Sequence, residues 1–223
     1  MFKNKNIIVI GASSELAQEF LSINKLDNNF HTISQNKNFN HDGFVVNNYI
    51  EEIDKIVDYV SNIKNVTIIF FNGFLAENRP YKFPNQDEIE KTFTINYLVP
   101  FKITEKILHR KLKVEKFVYL SSFAAVKPRY KNFIYGYSKK LLEETIKGME
   151  LNNYLFFRFG KINTSMSLNH RSSFFDLEVN QAAKVLSKSL FKKSGVIYSS
   201  FIIKLISLVV KILPASLLKY LKI

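Results

Sequence analysis

A tyrosine and a lysine stand four residues apart at Tyr135 and Lys139, in the segment YGYSK. Residues at this spacing lie on one face of an α-helix, so the phenol and the ammonium group can face the same space. A nearby cation lowers a tyrosine pKa from its ordinary value of about 10, which makes the phenol an acid or base usable near neutrality. The pair therefore predicts proton transfer. Tyr137 lacks this partner, because Leu141 stands four residues after it.

Two further features carry residue types suited to binding and catalysis. Ser122 stands 13 residues before Tyr135, at the end of an apolar run that predicts a strand. The turn 11–17 joins the first predicted strand to the first helix. Glycine lets a ligand approach the backbone closely, and free N–H groups at a helix N-terminus bind phosphate. Any strand-to-helix turn can carry this pattern, so it indicates a dinucleotide only together with the other motifs.

The elements that must position these residues alternate between strands and helices. Strands are predicted at 6–10, 30–34, 43–47, 66–71, 117–120, 154–159 and 195–198, and helices at 13–21, 51–63, 87–110, 137–149 and 180–191. This alternation within 223 residues predicts one α/β domain with a doubly wound parallel sheet of the Rossmann type. We assign residues 1–200 to this domain and 201–223 to a C-terminal appendage of amphipathic, basic helices.

Together these features resemble the short-chain dehydrogenase/reductase family. The matching segments, in chain order, are 10–17, 70–73, 95–101, 120–124, 135–139 and 158–166. The opening motif of the family is T-G-x-x-x-G-x-G; Gly11 is kept here, while Glu15 and Ala17 replace the second and third glycines. A pyrophosphate repels a carboxylate at position 15 unless that side chain points to solvent. Of the family motif N-N-A-G only Gly73 is kept, and Phe159 replaces the proline of R-P-G.

The resemblance implies an NAD(P)-dependent enzyme that transfers hydride between nicotinamide and a ketone or secondary alcohol. Tyr135 would exchange the proton, Ser122 would hydrogen-bond the carbonyl oxygen, and Lys139 would hold the nicotinamide ribose. Asn96 would order a water of the proton relay, and Thr164 would contact the nicotinamide carboxamide. The implied cofactor-binding residues are Gly11, Ser13, Ser14, Leu16, Asn47, Asn72, Gly73, Tyr135, Lys139 and Thr164.

The segment after the second predicted strand bears on the choice of cofactor. An acidic residue there binds the ribose 2′-hydroxyl of NAD and repels the 2′-phosphate of NADP. Residues 32–37 contain no acid and end in Lys37. The segment therefore favours NADP(H) over NAD(H).

Composition excludes several other classes of function. The chain has no cysteine, which removes disulfide and thiolate chemistry and agrees with a cytoplasmic protein. Its four histidines show no metal-ligand spacing, so we expect no metal. The net charge is +13, and the segment from Val179 onward has lysines but no acidic residue. A nucleic-acid-binding motif is missing, so the expected partners of this basic surface are an anionic cofactor, a phosphorylated substrate or anionic lipid.

The C-terminal part resembles reductases of keto-sugars linked to a polyprenyl phosphate or a nucleotide, which act in cell-envelope polysaccharide synthesis. The type is that of the decaprenylphosphoryl-2-keto-pentose reductase. This resemblance implies a small-molecule or a lipid- or nucleotide-linked sugar substrate. Two alternatives stay open: a membrane-attached scaffold, and a non-catalytic protein on the same fold that senses the cofactor.

The tail 201–223 is apolar but interrupted by lysines and by Pro214, so it is too broken to span a bilayer. Lys204 and Lys211 fall on nearly the same helical face. The apolar surface elsewhere is predicted from Ile202, Leu205, Ile206, Val209 and Leu213. One interpretation is attachment to an anionic membrane surface, at the inner face of the membrane. The other is packing against the domain or a partner subunit, because the family commonly forms dimers and tetramers and we expect a homo-oligomer.

Overall fold

The computed structural model describes residues 5–36, 43–76, 83–129, 132–168 and 175–214. Within these ranges the strands are β1 (Asn6–Ile10), β2 (Asn29–Ser34), β3 (Gly43–Val45), β4 (Val66–Phe70), β5 (Val114–Ser122), β6 (Tyr154–Phe159), β7 (Ile162–Asn163), β8 (Leu177–Glu178) and β9 (Gly195–Tyr198). Seven strands form one parallel sheet in the order β3-β2-β1-β4-β5-β6-β9, while β7 pairs with β8. The strand order reverses between β1 and β4, which creates a crevice at the carboxyl edge of the sheet.

Helices cover both faces of this sheet. They are α1 (Glu15–Asn24), α2 (Ile53–Ser61), α3 (Gln86–Phe93), α4 (Val99–His109), α5 (Phe133–Gly148), α6 (Val179–Ser189) and α7 (Phe201–Ile212). Helices α1 and α6 pack on one face, and α2, α4 and α5 pack on the other. In β1, Ile7 and Val9 face the first layer, while Ile8 and Ile10 face the second, because successive side chains of a strand alternate. The predicted doubly wound α/β sheet is confirmed.

The central strand β4 is buried along its whole length because helices cover both of its faces. All five residues of β4, VTIIF, are buried. Aromatic rings stack across neighbouring strands: the Tyr119 ring centroid lies 5.1 Å from that of Phe70 and 5.2 Å from that of Phe156. The buried Tyr119 hydroxyl is satisfied by the Thr104 hydroxyl at 2.8 Å. This core makes a rigid support for the carboxyl edge of β4 and β5.

The start of α5 differs from the prediction. The helix begins at Phe133, one turn before the predicted residue 137. Glycine has a low intrinsic helix propensity, which argues against a helix through Gly136. Tertiary packing overrides that propensity here, because a Cβ on Gly136 would lie only 2.9 Å from the carbonyl oxygen of Ala124 and 3.1 Å from Pro128.

The predicted helix 87–110 is in fact three segments. Helices α3 and α4 are joined by a π-helical turn at Thr94–Leu98, which carries Asn96. Strand β5 is also longer than the predicted 117–120, and the pair β7 and β8 was not predicted, because each of these two strands has only two residues.

The C-terminal helix α7 begins at the predicted position. The Ser200 hydroxyl accepts a hydrogen bond from the Ile203 N–H at 3.1 Å and caps the helix N-terminus. The helix ends at Ile212, because Leu213 is extended before Pro214. Its inner face, with Ile203 and Val210, packs against Phe123. Of the helices in the described ranges, none is both long and apolar enough to cross a membrane.

Candidate active site

The turn after β1 brings three strand ends together at the carboxyl edge. Gly11 has φ +82°, a region that favours glycine, and a Cβ there would lie 2.8 Å from the backbone nitrogen of Asn72. The N–H groups of Gly11 and Ala12 donate to the carbonyl oxygen of Ile33 at 2.9 and 3.2 Å. No other residue type fits this turn without moving β1 away from β4.

Three predicted cofactor-binding residues lie where the turn enters α1: Ser13 and Ser14 precede the helix, and Leu16 lies in its first turn. The Ser14 hydroxyl accepts a hydrogen bond from the Ala17 N–H at 3.3 Å and caps the helix. Ser13 is partly exposed beside it. Leu16 contributes no side chain to this surface, because that side chain is buried between α1 and the sheet. The turn therefore offers its backbone and the two hydroxyl groups.

Glu15, which replaces a family glycine, points to a neighbouring turn. Its carboxylate accepts hydrogen bonds from the Ser165 N–H, at 2.8 Å, and from the Ser165 hydroxyl. Thr164 stands immediately before this short 3₁₀ helix, Ser165–Ser167. The carboxylate thus ties the start of α1 to the segment that carries Thr164.

Lys139 lies at the centre of the site and is 3 % exposed. Its Nζ donates to the carbonyl oxygens of Leu120 at 2.9 Å and Asn72 at 3.2 Å, which join the ends of β5 and β4. The ammonium group lies 6.0 Å from the ring centroid of Tyr135. Burial lowers the pKa of Lys139 to about 8, against the opposing field of Glu143. The lysine is therefore a cation at neutral pH that gives up its proton more easily than a surface lysine.

Asn96, on the π-helical turn, hydrogen-bonds to the loop after β4 and to α5. Its side chain is fully buried; Oδ1 accepts from the Phe74 N–H at 2.9 Å, and Nδ2 donates to the Phe74 carbonyl at 2.8 Å and to the Ser138 hydroxyl at 3.0 Å. The Ser138 hydroxyl in turn donates to the Tyr135 carbonyl at 2.8 Å. The amide thus links the loop after β4 to the first turns of α5. Its predicted role in ordering a water stays a prediction.

Ser122 and Tyr135 lie on segments that touch. Ser122 ends β5, and its Oγ accepts from the Ala124 N–H at 3.1 Å at the start of a 3₁₀ turn. Gly136 packs directly on that turn, so Tyr135 is held at the same end of β5. Tyr135 is partly buried, whereas Tyr137 is 53 % exposed on the outer side of α5. The structure thus brings Asn96, Ser122, Tyr135 and Lys139 to one end of α5.

The nucleotide side of the crevice contains an acceptor without a partner. Asn72 is buried, and its Oδ1 has no hydrogen-bond partner within the described ranges. Beside it lies Tyr49, whose pKa burial raises to about 12 and whose hydroxyl donates to the Ile33 carbonyl at 3.4 Å. An orphaned acceptor next to Gly11 fits a hydroxyl donor of a nucleotide ribose. Sequence reasoning did not identify Tyr49, because a lone tyrosine in a loop carries no motif.

The remaining predicted cofactor residues lie around this crevice. Gly73 is partly exposed and faces Met166: a Cβ on it would lie 3.6 Å from the Met166 Cε. Asn47 lies apart from the Lys139 group, after β3. Its N–H donates to the Glu52 carboxylate at 2.6 Å and its carbonyl accepts from the Gln35 amide at 3.0 Å.

The end of β2 presents neutral polar groups. The Ser34 hydroxyl accepts from the Asn36 N–H at 3.0 Å, and Gln35 is bound to Asn47 as described above. Lys37 lies outside the described residues, as do His41, His170 and the two lysines of the last nine residues.

Comparison with known proteins gives the fold. No protein-family model matches the chain, and no curated protein matches it in sequence. Solved structures do match. A short-chain dehydrogenase from Burkholderia cenocepacia in complex with NADP has a TM-score of 0.78 at 15 % identity, over 99 % of this chain and 98 % of that chain. A short-chain dehydrogenase from Shigella flexneri 2a complexed with NADP has a TM-score of 0.73 at 15 % identity, over 88 % and 97 %.

A third structure, 4-hydroxyisoleucine dehydrogenase complexed with NADH, has a TM-score of 0.65 at 18 % identity, over 89 % of this chain and 98 % of that chain. At such identities the likeness concerns the arrangement of the elements, and the site rests on the geometry described above. The chain has the Rossmann-type fold of the short-chain dehydrogenases.

Proposed function

We propose that this protein is an NAD(P)H-dependent short-chain reductase or dehydrogenase, with Asn96, Ser122, Tyr135 and Lys139 as its catalytic residues. The observation that carries the proposal is the position of Lys139. It is a buried cation at the carboxyl edge, bonded to the ends of β4 and β5 and on the helix face of Tyr135. Dehydrogenases that share the fold hold NADP or NADH, which supports a nicotinamide cofactor.

Each catalytic residue has a separate role in the reduction of a ketone. When bound, the nicotinamide supplies the hydride that reaches the carbonyl carbon. Tyr135 donates its phenolic proton to the carbonyl oxygen, so that the product is an alcohol, and the Ser122 hydroxyl donates a hydrogen bond to the same oxygen as negative charge develops. The Lys139 cation stabilises the phenolate that Tyr135 becomes. The reverse sequence oxidises an alcohol.

Removing the phenolic hydroxyl tests this assignment. Tyr135→Phe should keep NADPH binding and lose turnover by several orders of magnitude, because only the proton donor is removed. Tyr137→Phe, on the exposed side of the same helix, is the matched control and should keep full activity. NADPH binding is measured by its fluorescence and turnover by its absorbance. The reverse result, with Tyr137→Phe inactive and Tyr135→Phe active, would overturn the assignment. A cofactor-sensing protein would bind NADPH without turnover, and a scaffold need not bind it.

We also propose that NADPH binds more tightly than NADH. The support is the end of β2, where Ser34, Gln35 and Asn36 include no carboxylate that would repel a 2′-phosphate. Titration of both cofactors by fluorescence measures the preference. Equal affinities, or tighter NADH binding, would show that another group reads the ribose.

The outer face of α7 supports a second proposal, that the protein attaches to an anionic membrane surface. The exposed apolar side chains of this helix are Phe201, Ile202, Leu205, Leu208, Val209 and Ile212. They point away from the domain, opposite the buried Ile203 and Val210. Ile206 and Leu213 were predicted to belong to this outer surface, but both pack inward against the Phe123 cluster. They turn inward because they fall on the side of Ile203 and Val210.

Charge favours a lipid surface as the occupant of this face. Lys204 and Lys211 are exposed along one flank of the apolar stripe. An apolar face beside cations suits the interface of an anionic bilayer. Because the inner face of α7 packs on Phe123, next to Ser122, a substrate on a polyprenyl phosphate would reach the site from the membrane side. We therefore propose a polyprenyl-phosphate- or nucleotide-linked keto-sugar of surface polysaccharide synthesis as the substrate.

Vesicle sedimentation tests the attachment. Full-length protein should bind phosphatidylglycerol vesicles in a salt-sensitive way and bind phosphatidylcholine vesicles weakly. Leu205→Gln with Leu208→Gln should abolish binding, while Lys188→Gln, a charge change on α6, serves as a control. Protein that ignores both vesicle types and forms dimers through α7 would instead support the homo-oligomer interpretation.

Turnover with NADPH and a set of keto-sugars tests the substrate. The set contains nucleotide-linked and polyprenyl-phosphate-linked forms, with a simple cyclic ketone as the reference. Preference for a linked sugar supports the proposal. Preference for the simple ketone would refute the substrate class and leave the reductase assignment intact.

A further inference from the structure

A buried ion pair lies behind Lys139 and takes no part in the proposed chemistry. Glu143 is one helical turn after Lys139 on α5 and is 1 % exposed. Its carboxylate accepts from the Ser121 hydroxyl at 2.6 Å and from Arg158, whose Nε donates at 2.9 Å and whose Nη2 donates to the second oxygen. The Arg158 Nη1 donates to the Tyr198 hydroxyl at 2.7 Å. The cluster thus connects β5, α5, β6 and β9.

A buried ion pair contributes less to the stability of a protein core than its number of contacts suggests. Removing two charged groups from water costs several kcal/mol per ion before their attraction is regained, and an apolar pair of the same volume is often more stable. This cost directs attention to what else the charges act on. Within the described ranges, the hydrogen-bond acceptors of Lys139 are two neutral groups, the carbonyl oxygens of Leu120 and Asn72. Among the described residues, Glu143 is the acid whose field acts on the Lys139 ammonium group.

We propose that Glu143 and Arg158 form a positioning pair that governs how firmly Lys139 keeps its proton. This inference rests on the proposed function, in which Lys139 supports the acid Tyr135. Glu143 favours the ammonium form of Lys139, and Arg158 weakens that field by neutralising most of the carboxylate charge. Burial lowers the pKa of Lys139 to about 8 and the Glu143 carboxylate opposes that lowering, so the lysine stays charged at neutrality.

The other groups facing this pair are few. On α5, Tyr135 faces Lys139 and the Lys147 ammonium approaches the Glu143 carboxylate at 3.4 Å. From β5 the cluster receives the neutral Ser121 hydroxyl, and from β9 the Tyr198 hydroxyl reaches it through Arg158. The Lys147 side chain is 41 % exposed, so solvent screens its charge. It provides a matched control: a cation on the same carboxylate, but outside the core.

The proposal predicts that removing Glu143 and removing Arg158 shift the Lys139 pKa in opposite directions. Glu143→Gln keeps the shape but removes the charge and one of the two acceptor oxygens, and it leaves Arg158 as an unpaired cation, so the Lys139 pKa should fall further. Arg158→Gln leaves the carboxylate with only the solvent-screened Lys147 as a cation, so the Lys139 pKa should rise. The double variant should return close to the wild-type value. A purely structural role of the pair predicts losses of stability for both variants, without shifts of opposite sign.

The experiment is a direct titration of Lys139 in the free, full-length protein. Lysine is labelled with ¹³C at Cε, the Lys139 resonance is identified by its loss in Lys139→Arg, and its chemical shift is followed with pH. We expect Glu143→Gln to move the midpoint down by about one pH unit, a tenfold change in proton affinity, and Arg158→Gln to move it up. Arg158→Lys and Lys147→Gln should stay close to wild type, and circular dichroism checks folding.

Midpoints that stay in place, or that move in the same direction in both variants, would overturn the inference. If Arg158→Gln does not fold, the Lys139 midpoints of Glu143→Gln and Lys147→Gln still test the inference: the first should fall and the second should stay close to wild type. The titration needs neither cofactor nor substrate. A protein without NADPH turnover would therefore refute the proposed function while the Lys139 midpoints still report on the pair.

Discussion

Two buried asparagines, Asn96 and Asn72, lie near the carboxyl end of β4 and differ in how their side-chain amides are used. Asn96 uses both atoms of its amide to bind Phe74 and Ser138. Asn72 leaves its Oδ1 without a partner in the described part of the chain. The catalytic side is therefore completed by the protein itself, whereas the nucleotide side keeps a polar group free for a ligand. Three predictions test this contrast.

The largest effect is expected at Asn96. Asn96→Ala removes a fully buried amide and leaves the partly buried N–H and carbonyl of Phe74 without this partner, at a cost of about 1–3 kcal/mol for each group. We expect the free energy of unfolding to fall by about 4 kcal/mol, measured by urea denaturation. Asn85→Ala, which removes an exposed cap of α3, is the matched control and should cost about 1 kcal/mol. Equal losses of unfolding free energy in the two variants would contradict the proposal that Asn96 stabilises the site more than an exposed helix cap stabilises α3.

The next effect follows from Lys139 and depends on pH. Burial lowers its pKa from 10.5 to about 8 in the folded state, while the unfolded chain keeps the ordinary value. The folded state thus binds this proton less tightly than the unfolded state. The neutral lysine therefore favours folding, and this contribution is fully present above pH 10.5 and is lost as pH falls to about 8.

Denaturation of wild type and Lys139→Met at several pH values measures this linkage. The wild-type free energy of unfolding, less that of the variant, should rise by about 3 kcal/mol between pH 8 and pH 10.5. Other titrating groups cancel in the difference. Lys147→Met, which removes a half-exposed lysine, should give no such rise. Parallel curves for wild type and Lys139→Met would contradict the lowered pKa.

The smallest effect on stability is expected at Asn72. Asn72→Ala removes an acceptor that has no partner in the described ranges, together with one side-chain hydrogen bond to Tyr49, so the free energy of unfolding should fall by about 1 kcal/mol. Affinity for NADPH should fall about tenfold, because a hydrogen bond to the nucleotide is lost. Fluorescence titration and urea denaturation of the same sample separate the two quantities. A large loss of stability with unchanged NADPH affinity would show that Asn72, like Asn96, stabilises the fold and does not bind the cofactor.

Local patterns were enough to predict the sheet and the position of Lys139. The continuous apolar runs of β1 and β4 and the four-residue spacing on α5 depend only on neighbours in the chain. The partners of these groups depend on distant segments. Asn96 and Ser138 are 42 residues apart, and Lys139 meets an oxygen of Asn72 that is 67 residues away. No periodicity in the chain carries such pairings.

Two departures from local rules show the same limit. A carboxylate at position 15 is compatible with phosphate binding only if it points away from the phosphate, and the Glu15 carboxylate accepts hydrogen bonds from Ser165, 150 residues further on. Helix propensity disfavours glycine inside α5, yet contact with the turn after Ser122 requires Gly136 there. In both places a tertiary contact outweighs the local preference. Each of these two residues departs from a local rule and joins two segments of the site.

Gly136 has a consequence for protein engineering. Because a single added methyl group would meet the Ala124 carbonyl oxygen at 2.9 Å, even alanine would push α5 away from the turn after β5. The separation between the proton-donating helix and the Ser122 strand end is therefore set by the absence of a side chain. A library that aims to change substrate scope on this scaffold should therefore hold Gly136 constant, and should also keep Phe123, which is buried against Ile203 and Val210 of α7.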